Sequence, residues 1–124
     1  MKSVIRVIDH YWWQLTVVIL IAISVLSLTP FEHLPPAPGS DKTHHFVAYA
    51  AVAFPLMLRL PRYWYCYLLG LAGWSGIIEL IQPYVNRYGE WLDLAANVAG
   101  LVIGSLLALA IRYYRRNEVK TGSQ

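Results

Sequence analysis

The sequence predicts an all-α polytopic membrane protein, a bundle of four transmembrane helices with both termini in the cytoplasm. Three observations support this fold class: 57% of the 124 residues are hydrophobic, only 14% are charged, and the mean hydropathy is +0.45. Soluble domains carry about 25% charged residues. The apolar residues also form continuous runs, whereas the strands of a membrane barrel alternate between apolar and polar residues. We treat residues 1–124 as a single domain.

Four apolar runs define the predicted spans. They cover residues 11–28, 44–60, 64–82 and 92–111, and a polar cytoplasmic tail follows over 112–124. Each run approaches the ~20 residues that a helix needs to cross a bilayer core. Three runs end near a proline, because the residue before proline disfavours the helical conformation: Pro30, Pro61 and Pro83. Pro55 lies inside the second run, where we expect a kink.

The first run has an alternative interpretation as a cleaved signal peptide. Lys2 and Arg6 precede it, as basic residues precede the apolar part of a signal peptide. However, the apolar stretch is long for a signal peptide and no Ala-x-Ala-like cleavage site follows it. A membrane span is therefore favoured.

The basic residues predict the orientation, since cytoplasmic loops of membrane proteins carry an excess of Lys and Arg. Only Lys42 and Arg87 fall on the predicted outer side. The other eight basic residues fall on one side of the runs: Lys2, Arg6, Arg59, Arg62, Arg112, Arg115, Arg116 and Lys120. Both termini are thus predicted to be cytoplasmic. Basic residues placed between apolar runs are typical of a protein whose partner is the lipid bilayer, so no nucleic-acid partner is expected.

Polar and ionisable residues of the membrane region gather at the predicted outer ends of the runs. Charged groups inside a membrane are costly, so they usually mark a function. Around the start of the second run, Asp41, His45 and Tyr49 recur every four residues and share one helix face. Glu79 and Gln82, three residues apart, share a face at the end of the third run.

The fourth run also carries polar residues at its predicted outer end, on a single stripe. One helix face carries Asp93, Asn97, Gly100 and Gly104. Because glycines four residues apart permit close contact between membrane helices, we expect this stripe to face the bundle interior. The two polar residues would then open a small chamber above the packed glycines. A similar close contact is expected for the third run at its own three glycines, Gly70, Gly73 and Gly76.

Taken in order, these residues resemble the VanZ-like family of membrane proteins. The resemblance rests on the motifs DK..HF..Y at residues 41–49, E..Q at 79–82 and R.....D...N..G at 87–100. It spans about residues 28–110. It implies a small multi-pass protein of the bacterial cytoplasmic (inner) membrane, in a family named after a member associated with resistance to the glycopeptide teicoplanin. The resemblance implies no settled reaction. It carries over His45, whereas His44 is a weaker candidate.

The first hypothesis for these residues is a binding site for an anionic lipid-linked headgroup or a cell-wall precursor at the outer leaflet. Lys42 and Arg87 supply the positive charge, and the Arg87 guanidinium has a geometry that suits phosphate. The remaining predicted ligand-binding residues are Asp41, Tyr49, Gln82, Asp93 and Asn97. The number of groups that can contact phosphate, and the absence of a positioned nucleophile, favour this hypothesis over catalysis.

The second hypothesis is a membrane-embedded hydrolase or transferase. His45 would be the general base, oriented by Asp41 or Asp93, and Glu79 a second acid–base group. The chain contains no nucleophilic serine elbow, no HExxH motif and no glycine-rich phosphate loop, so whether it is an enzyme stays open. A metal held by His45, Glu79 and Asp93 has no support from sequence spacing, and Cys66 is the only cysteine. No metal and no cofactor is predicted.

The third hypothesis is a polar clasp between helices that binds no ligand. Ser40 or Asp41 would cap the second helix, Asp93 would cap the fourth, and Glu79 would neutralise Arg87. A proton-linked transporter is a further alternative, and four short helices would need to oligomerise to enclose its path. The oligomeric state stays open.

Overall fold

In a computed structural model, residues 2–30, 41–85 and 91–122 are described, except for the side chain of Asp41. This part of the chain is helical and contains no strand. Its helices are α1 (Lys2–His10), α2 (Trp12–Leu28), α3 (Asp41–Arg59), α4 (Trp64–Ile81) and α5 (Trp91–Gly122), with a short 3₁₀ helix (Gln82–Val85) after α4. The predicted all-α class is confirmed.

The helices end where the prolines predict. Helix α2 ends at Leu28, two residues before Pro30, and α4 gives way to the 3₁₀ helix one residue before Pro83. Helix α3 ends at Arg59, and Leu60 follows it with a φ of 52°. This left-handed conformation is common just after a helix and turns the chain away from the helix axis. Pro55 lies within α3, which continues past it to Arg59.

Two helical segments are long and apolar enough to cross a membrane, and a third qualifies if α1 and α2 form one bent span. The two are Trp64–Val85 and α5. Helix α3, which coincides with the second predicted span, is not among them. Its first turns carry Asp41, Lys42, His44 and His45, and these residues lower its hydropathy. Length and composition of the helices thus support two or three of the four predicted spans.

Apolar side chains also cover much of the outer surface of the bundle. Val18 on α2, Leu69 and Leu80 on α4, and Leu106 on α5 are each more than half exposed. A soluble monomer rarely exposes apolar surface on this scale. The outer surface therefore suits a lipid environment.

Helix α1 was not predicted from the sequence. The chain bends by 80° between α1 and α2, at Tyr11. Ile5 is buried in the hydrophobic core, while ion pairs join Asp9 to Arg59 (3.6 Å) and to Arg115 (3.9 Å). Helix α1 thus packs across the end of the bundle where α3 ends. We call this the terminal end.

The predicted polar tail is helical, because α5 continues without a break to Gly122. No proline or glycine interrupts residues 112–121, so nothing in this segment stops the helix. Lys2 lies 3.6 Å from Glu118 through its Nζ and Oε2 atoms. The two ends of the described chain therefore meet at the terminal end.

Helix α3 occupies the centre of the bundle and contacts each of the other four helices. Val52, Ala53 and Leu56 are fully buried there. At the terminal end, the Arg112 guanidinium donates hydrogen bonds to the carbonyl oxygens of Leu58 (3.1 Å) and Arg59 (3.2 Å). These bonds satisfy carbonyl groups that a helix end leaves without an intrahelical partner.

Helices α3 and α5 make the most extensive contact in the bundle. A Cβ atom on Gly104 would lie 2.7 Å from the Cα atom of Ala50, and one on Gly100 would lie 3.1 Å from the Ala50 nitrogen. Both glycines are therefore required for this approach. In contrast, a Cβ atom on Gly70, Gly73 or Gly76 would meet nothing within 4 Å, so the close contact expected for the α4 glycines is wrong.

Gly104→Ala should destabilise the bundle, because the added Cβ atom overlaps the backbone of Ala50. We expect a loss of about 1–3 kcal/mol in the free energy of unfolding, the usual cost of overpacking. Gly73→Ala is the matched control, since its Cβ atom meets open space and alanine favours the helix. Unfolding in mixed micelles measures the change in the free energy of unfolding for each of the two variants. Equal effects of the two substitutions would contradict the close contact.

Candidate functional site

A group of polar side chains lies at the end of the bundle opposite the terminal end, where α3 and α5 begin and α4 ends. We call this group the polar cluster. Apart from Lys42, its members are at most 9% exposed. Helix α3 supplies Lys42, His45 and Tyr49, helix α4 supplies Ser75 and Glu79, and helix α5 supplies Asp93 and Asn97. Because the spacing within each helix is three, four or seven residues, each set lies on one face.

Asn97 joins the three helices at the middle of the cluster. Its Nδ2 atom donates a hydrogen bond to Ser75 Oγ (2.7 Å), and its Oδ1 atom lies 2.9 Å from His45 Nδ1. An amide oxygen only accepts hydrogen bonds, so this arrangement has His45 donating from a protonated Nδ1. In a neutral imidazole the lone pair then belongs to Nε2.

His45 also lies against the carboxylate of Glu79. The Nδ1 atom is 3.6 Å from Glu79 Oε1, and both side chains are buried. This distance is long for a hydrogen bond, but it allows an ion pair when the imidazole is protonated. The structure thus brings together the two residues that the sequence predicts as an acid–base pair, although they are 34 positions apart.

Lys42 connects the cluster to the outside of the bundle. Its Nζ atom lies 3.4 Å from Asp93 Oδ1, and its side chain is 44% exposed while that of Asp93 is 3% exposed. The amine therefore lies at the exposed edge of the polar cluster, which we call the rim, and the carboxylate lies below it. Asp93 is in the first turn of α5, where the partial positive charge of the helix N-terminus also favours a carboxylate.

Tyr49 and Gln82 extend the polar contacts in two directions. Tyr49 is almost fully buried, and its hydroxyl forms a hydrogen bond with Ser75 close to Glu79. Gln82 is also buried and donates from Nε2 to the carbonyl oxygen of Ser27 (3.1 Å). The Gln82 contact ties the end of α4 to the end of α2, a role that the sequence did not suggest.

Two predicted site residues lie outside the described part of the chain. Arg87 falls in the segment 86–90, and the side chain of Asp41 is not described although its backbone begins α3. His44, the weaker candidate, is exposed. The positive charge that the structure places at the rim is therefore that of Lys42.

Ser75 is the member of the cluster that the sequence analysis missed. It is fully buried and contacts both Asn97 and Tyr49. A signal was present, because Ser75 precedes Glu79 by four residues and so shares its helix face. Serines in membrane helices also bond to their own backbone, as Ser105 does with the carbonyl oxygen of Leu101 (2.6 Å). Composition alone does not distinguish such a serine from one that bonds to another helix.

The cluster also contains atoms that could ligate a metal ion. One ring nitrogen of His45 and one carboxylate oxygen each of Glu79 and Asp93 lie within 4.8 Å of one another. Chemically, the arrangement offers a positive charge at the rim, a buried acid–base pair, and a mixed nitrogen and oxygen donor set. Each of these could serve a ligand that enters from the polar end.

Asn97→Ala should destabilise the bundle, because it removes a partner from both His45 and Ser75 in a buried site. The expected loss is about 1–3 kcal/mol in the free energy of unfolding. Ser105→Ala is the matched control, since the Ser105 hydroxyl donates its hydrogen bond within its own helix turn, to the carbonyl oxygen of Leu101. A loss for Asn97→Ala no larger than for Ser105→Ala would contradict the central position of Asn97.

Comparisons with known proteins add no constraint on this site. No protein-family model, no curated protein and no solved structure matches the chain. The resemblance to the VanZ-like family therefore depends on the ordered motifs of the sequence, and the functional conclusion depends on the geometry of the polar cluster.

Proposed function

We propose that this chain is a VanZ-like protein of the bacterial cytoplasmic membrane that binds an anionic headgroup at its polar end. The headgroup belongs to a lipid or to a lipid-linked cell-wall precursor, which connects the proposal to glycopeptide resistance. The observation that carries the proposal is the contact between Lys42 Nζ at the rim and buried Asp93, 3.4 Å apart.

The proposal treats α3 as a fourth span despite its polar first turns. This helix lies at the centre of the bundle, in contact with α1, α2, α4 and α5. His45 is buried among those helices, so it does not meet lipid. A central helix does not need an apolar surface all round, because its neighbours and not the lipid contact its polar face.

The proposal also places the terminal end in the cytoplasm. Arg59, Arg112, Arg115 and Lys2 all lie there, in contacts with α1, α3 or α5. The positive-inside bias assigns such an end to the cytoplasmic side. The polar end then faces outward, at the depth where lipid phosphates lie.

A reporter enzyme fused after Gln124 tests this orientation. We expect activity from a reporter that works only in the cytoplasm, and none from one that requires export. A second fusion, within residues 31–40, should give the reverse pattern. The opposite result for both fusions would place the polar end inside and would contradict an outward-facing site.

Headgroup binding follows from the chemistry of the rim. A phosphate at the rim can share the half-exposed Lys42 amine with the carboxylate of Asp93 and gain a charge-assisted hydrogen bond. The predicted second cation, Arg87, precedes Asp93 by six residues, and its planar guanidinium suits two phosphate oxygens. The hydrogen bonds to His45 and Ser75 hold Asn97 in place below the rim, so that the ligand meets a partly preformed site.

A second candidate function, a membrane-embedded hydrolase or transferase, is favoured by one observation. His45 Nδ1 lies 3.6 Å from Glu79 Oε1 and 2.9 Å from Asn97 Oδ1, so two side chains orient the ring. A neutral ring held in this way keeps a lone pair on Nε2, which is what a general base requires. The bound headgroup would then be the substrate.

Native mass spectrometry of the protein released from its own membranes tests headgroup binding. We expect a co-purifying anionic lipid with the unchanged protein and at least a severalfold loss of it with Lys42→Gln, because the substitution removes the rim charge. Arg87→Ala tests the second predicted cation. Lys120→Gln is the matched control, since it removes a lysine at the terminal end.

Three other outcomes are informative. Equal lipid in the Lys42→Gln and Lys120→Gln samples would contradict binding at the rim. No lipid in any sample would favour the clasp without a ligand. A cleaved form of the lipid that disappears with Glu79→Gln would favour the enzyme.

A further inference from the structure

We propose that His45, Glu79 and Asp93 form a binding site for one divalent transition-metal ion of the Zn²⁺ class, between α3, α4 and α5. The site goes beyond headgroup binding and does not depend on it. The three ligands lie on three different helices, 34 and 14 residues apart in the sequence. A motif of closely spaced ligands therefore could not have revealed them.

Distance is the first support. The three ligand atoms lie within 4.8 Å of one another. Zinc binds imidazole nitrogen and carboxylate oxygen at about 2.0–2.2 Å in tetrahedral geometry, so two ligands of one ion are separated by about 3.4 Å. A displacement of about 1 Å or less per ligand atom brings the three atoms to that separation.

Charge is the second support. Glu79 and Asp93 place two carboxylates close together in a buried region, where like charges repel strongly. Buried charges in proteins are paired or coordinate metals. Lys42 contacts Asp93 from the half-exposed rim, and His45 lies 3.6 Å from Glu79, so each carboxylate has one neighbour that can carry positive charge. A divalent cation between the carboxylates neutralises both and uses His45 as a neutral ligand.

The hydrogen bonding of Asp93 is an independent observation. Its Oδ1 atom is buried and accepts no well-aligned hydrogen bond within the described part of the chain, where Asp93 is only 2% exposed. Lys42 Nζ, 3.4 Å from this atom, contributes an ion-pair contact from the rim. Unsatisfied buried polar atoms are rare in native proteins, and an unseen ion is one of the few explanations. This oxygen belongs to one of the three proposed ligands.

The donor set selects the class of ion. Imidazole suits zinc, iron and nickel, whereas sites made only of oxygen suit magnesium and calcium. One imidazole and two carboxylates give three protein ligands, and three ligands leave a zinc ion with an open position. Lys42, whose side chain is 44% exposed at the rim, contacts Asp93, one of the three proposed ligands.

Zinc binding to the full-length chain, purified in detergent with an affinity tag that contains no histidine, tests the proposal. The protein is stripped with a chelator and titrated with Zn²⁺ in competition with a chromophoric chelator. We expect one Zn²⁺ per chain. Since even loss of an outer partner weakens a metal site by about 10–100-fold, Glu79→Gln and Asp93→Asn should each weaken binding about tenfold or more.

Matched controls separate the site from surface binding. Glu118→Gln and His10→Gln change a carboxylate and an imidazole at the terminal end, and both should keep the affinity of the unchanged protein. Zn²⁺ should also raise the thermal unfolding midpoint of the unchanged protein and leave that of Asp93→Asn unaffected, because a ligand stabilises only a state that binds it.

Two results would overturn the metal site. One is the absence of stoichiometric Zn²⁺ binding to the unchanged protein, a measurement that needs no variant to fold. The other is a loss of Zn²⁺ binding in Glu118→Gln or His10→Gln that is as large as the loss in Glu79→Gln and Asp93→Asn. Because lipid retention is measured on separate samples, loss of the metal site leaves the headgroup proposal to be decided by its own experiment.

Discussion

The close approach of α3 and α5 is the constraint on which the rest of the structure depends. Gly100 and Gly104 allow the α5 backbone to lie against Phe46 and Ala50 of α3. Asn97 precedes Gly100 by three residues, one helical turn, and therefore faces the preceding turn of α3. This is why its Oδ1 atom reaches His45 Nδ1 at 2.9 Å. A wider separation of the two helices would leave both polar groups buried without each other.

The polar cluster is both a clasp between helices and a candidate site, and the same hydrogen bonds serve both roles. Asn97 holds Ser75 and His45 in place, and those contacts link three helices. The side chains held in this way are also the ones that ligand binding, catalysis or metal coordination would use. Loss of stability in a cluster variant therefore does not exclude a function. Comparison with variants at the terminal end is needed to separate the two effects.

The two ends of the bundle have different physical characters. At the terminal end, Asp9, Arg59, Arg115 and Glu118 form ion pairs that are partly or mostly exposed, and such pairs contribute little stability. At the polar end, the carboxylates of Glu79 and Asp93 are buried, so each interaction there has a larger energetic consequence. A polar contact at the polar end therefore matters more to the bundle than an exposed ion pair at the terminal end.

The sequence by itself determined the helical class, the helix ends marked by Pro30, Pro61 and Pro83, and the residues that share each helix face. Only the tertiary structure decided the 80° bend after α1, the helical tail to Gly122, the open surroundings of the α4 glycines and the role of Ser75. The reason is physical: helical spacing is a local property of the chain. Which face meets which neighbour depends on packing between residues far apart in sequence, as at Gly104 and Ala50.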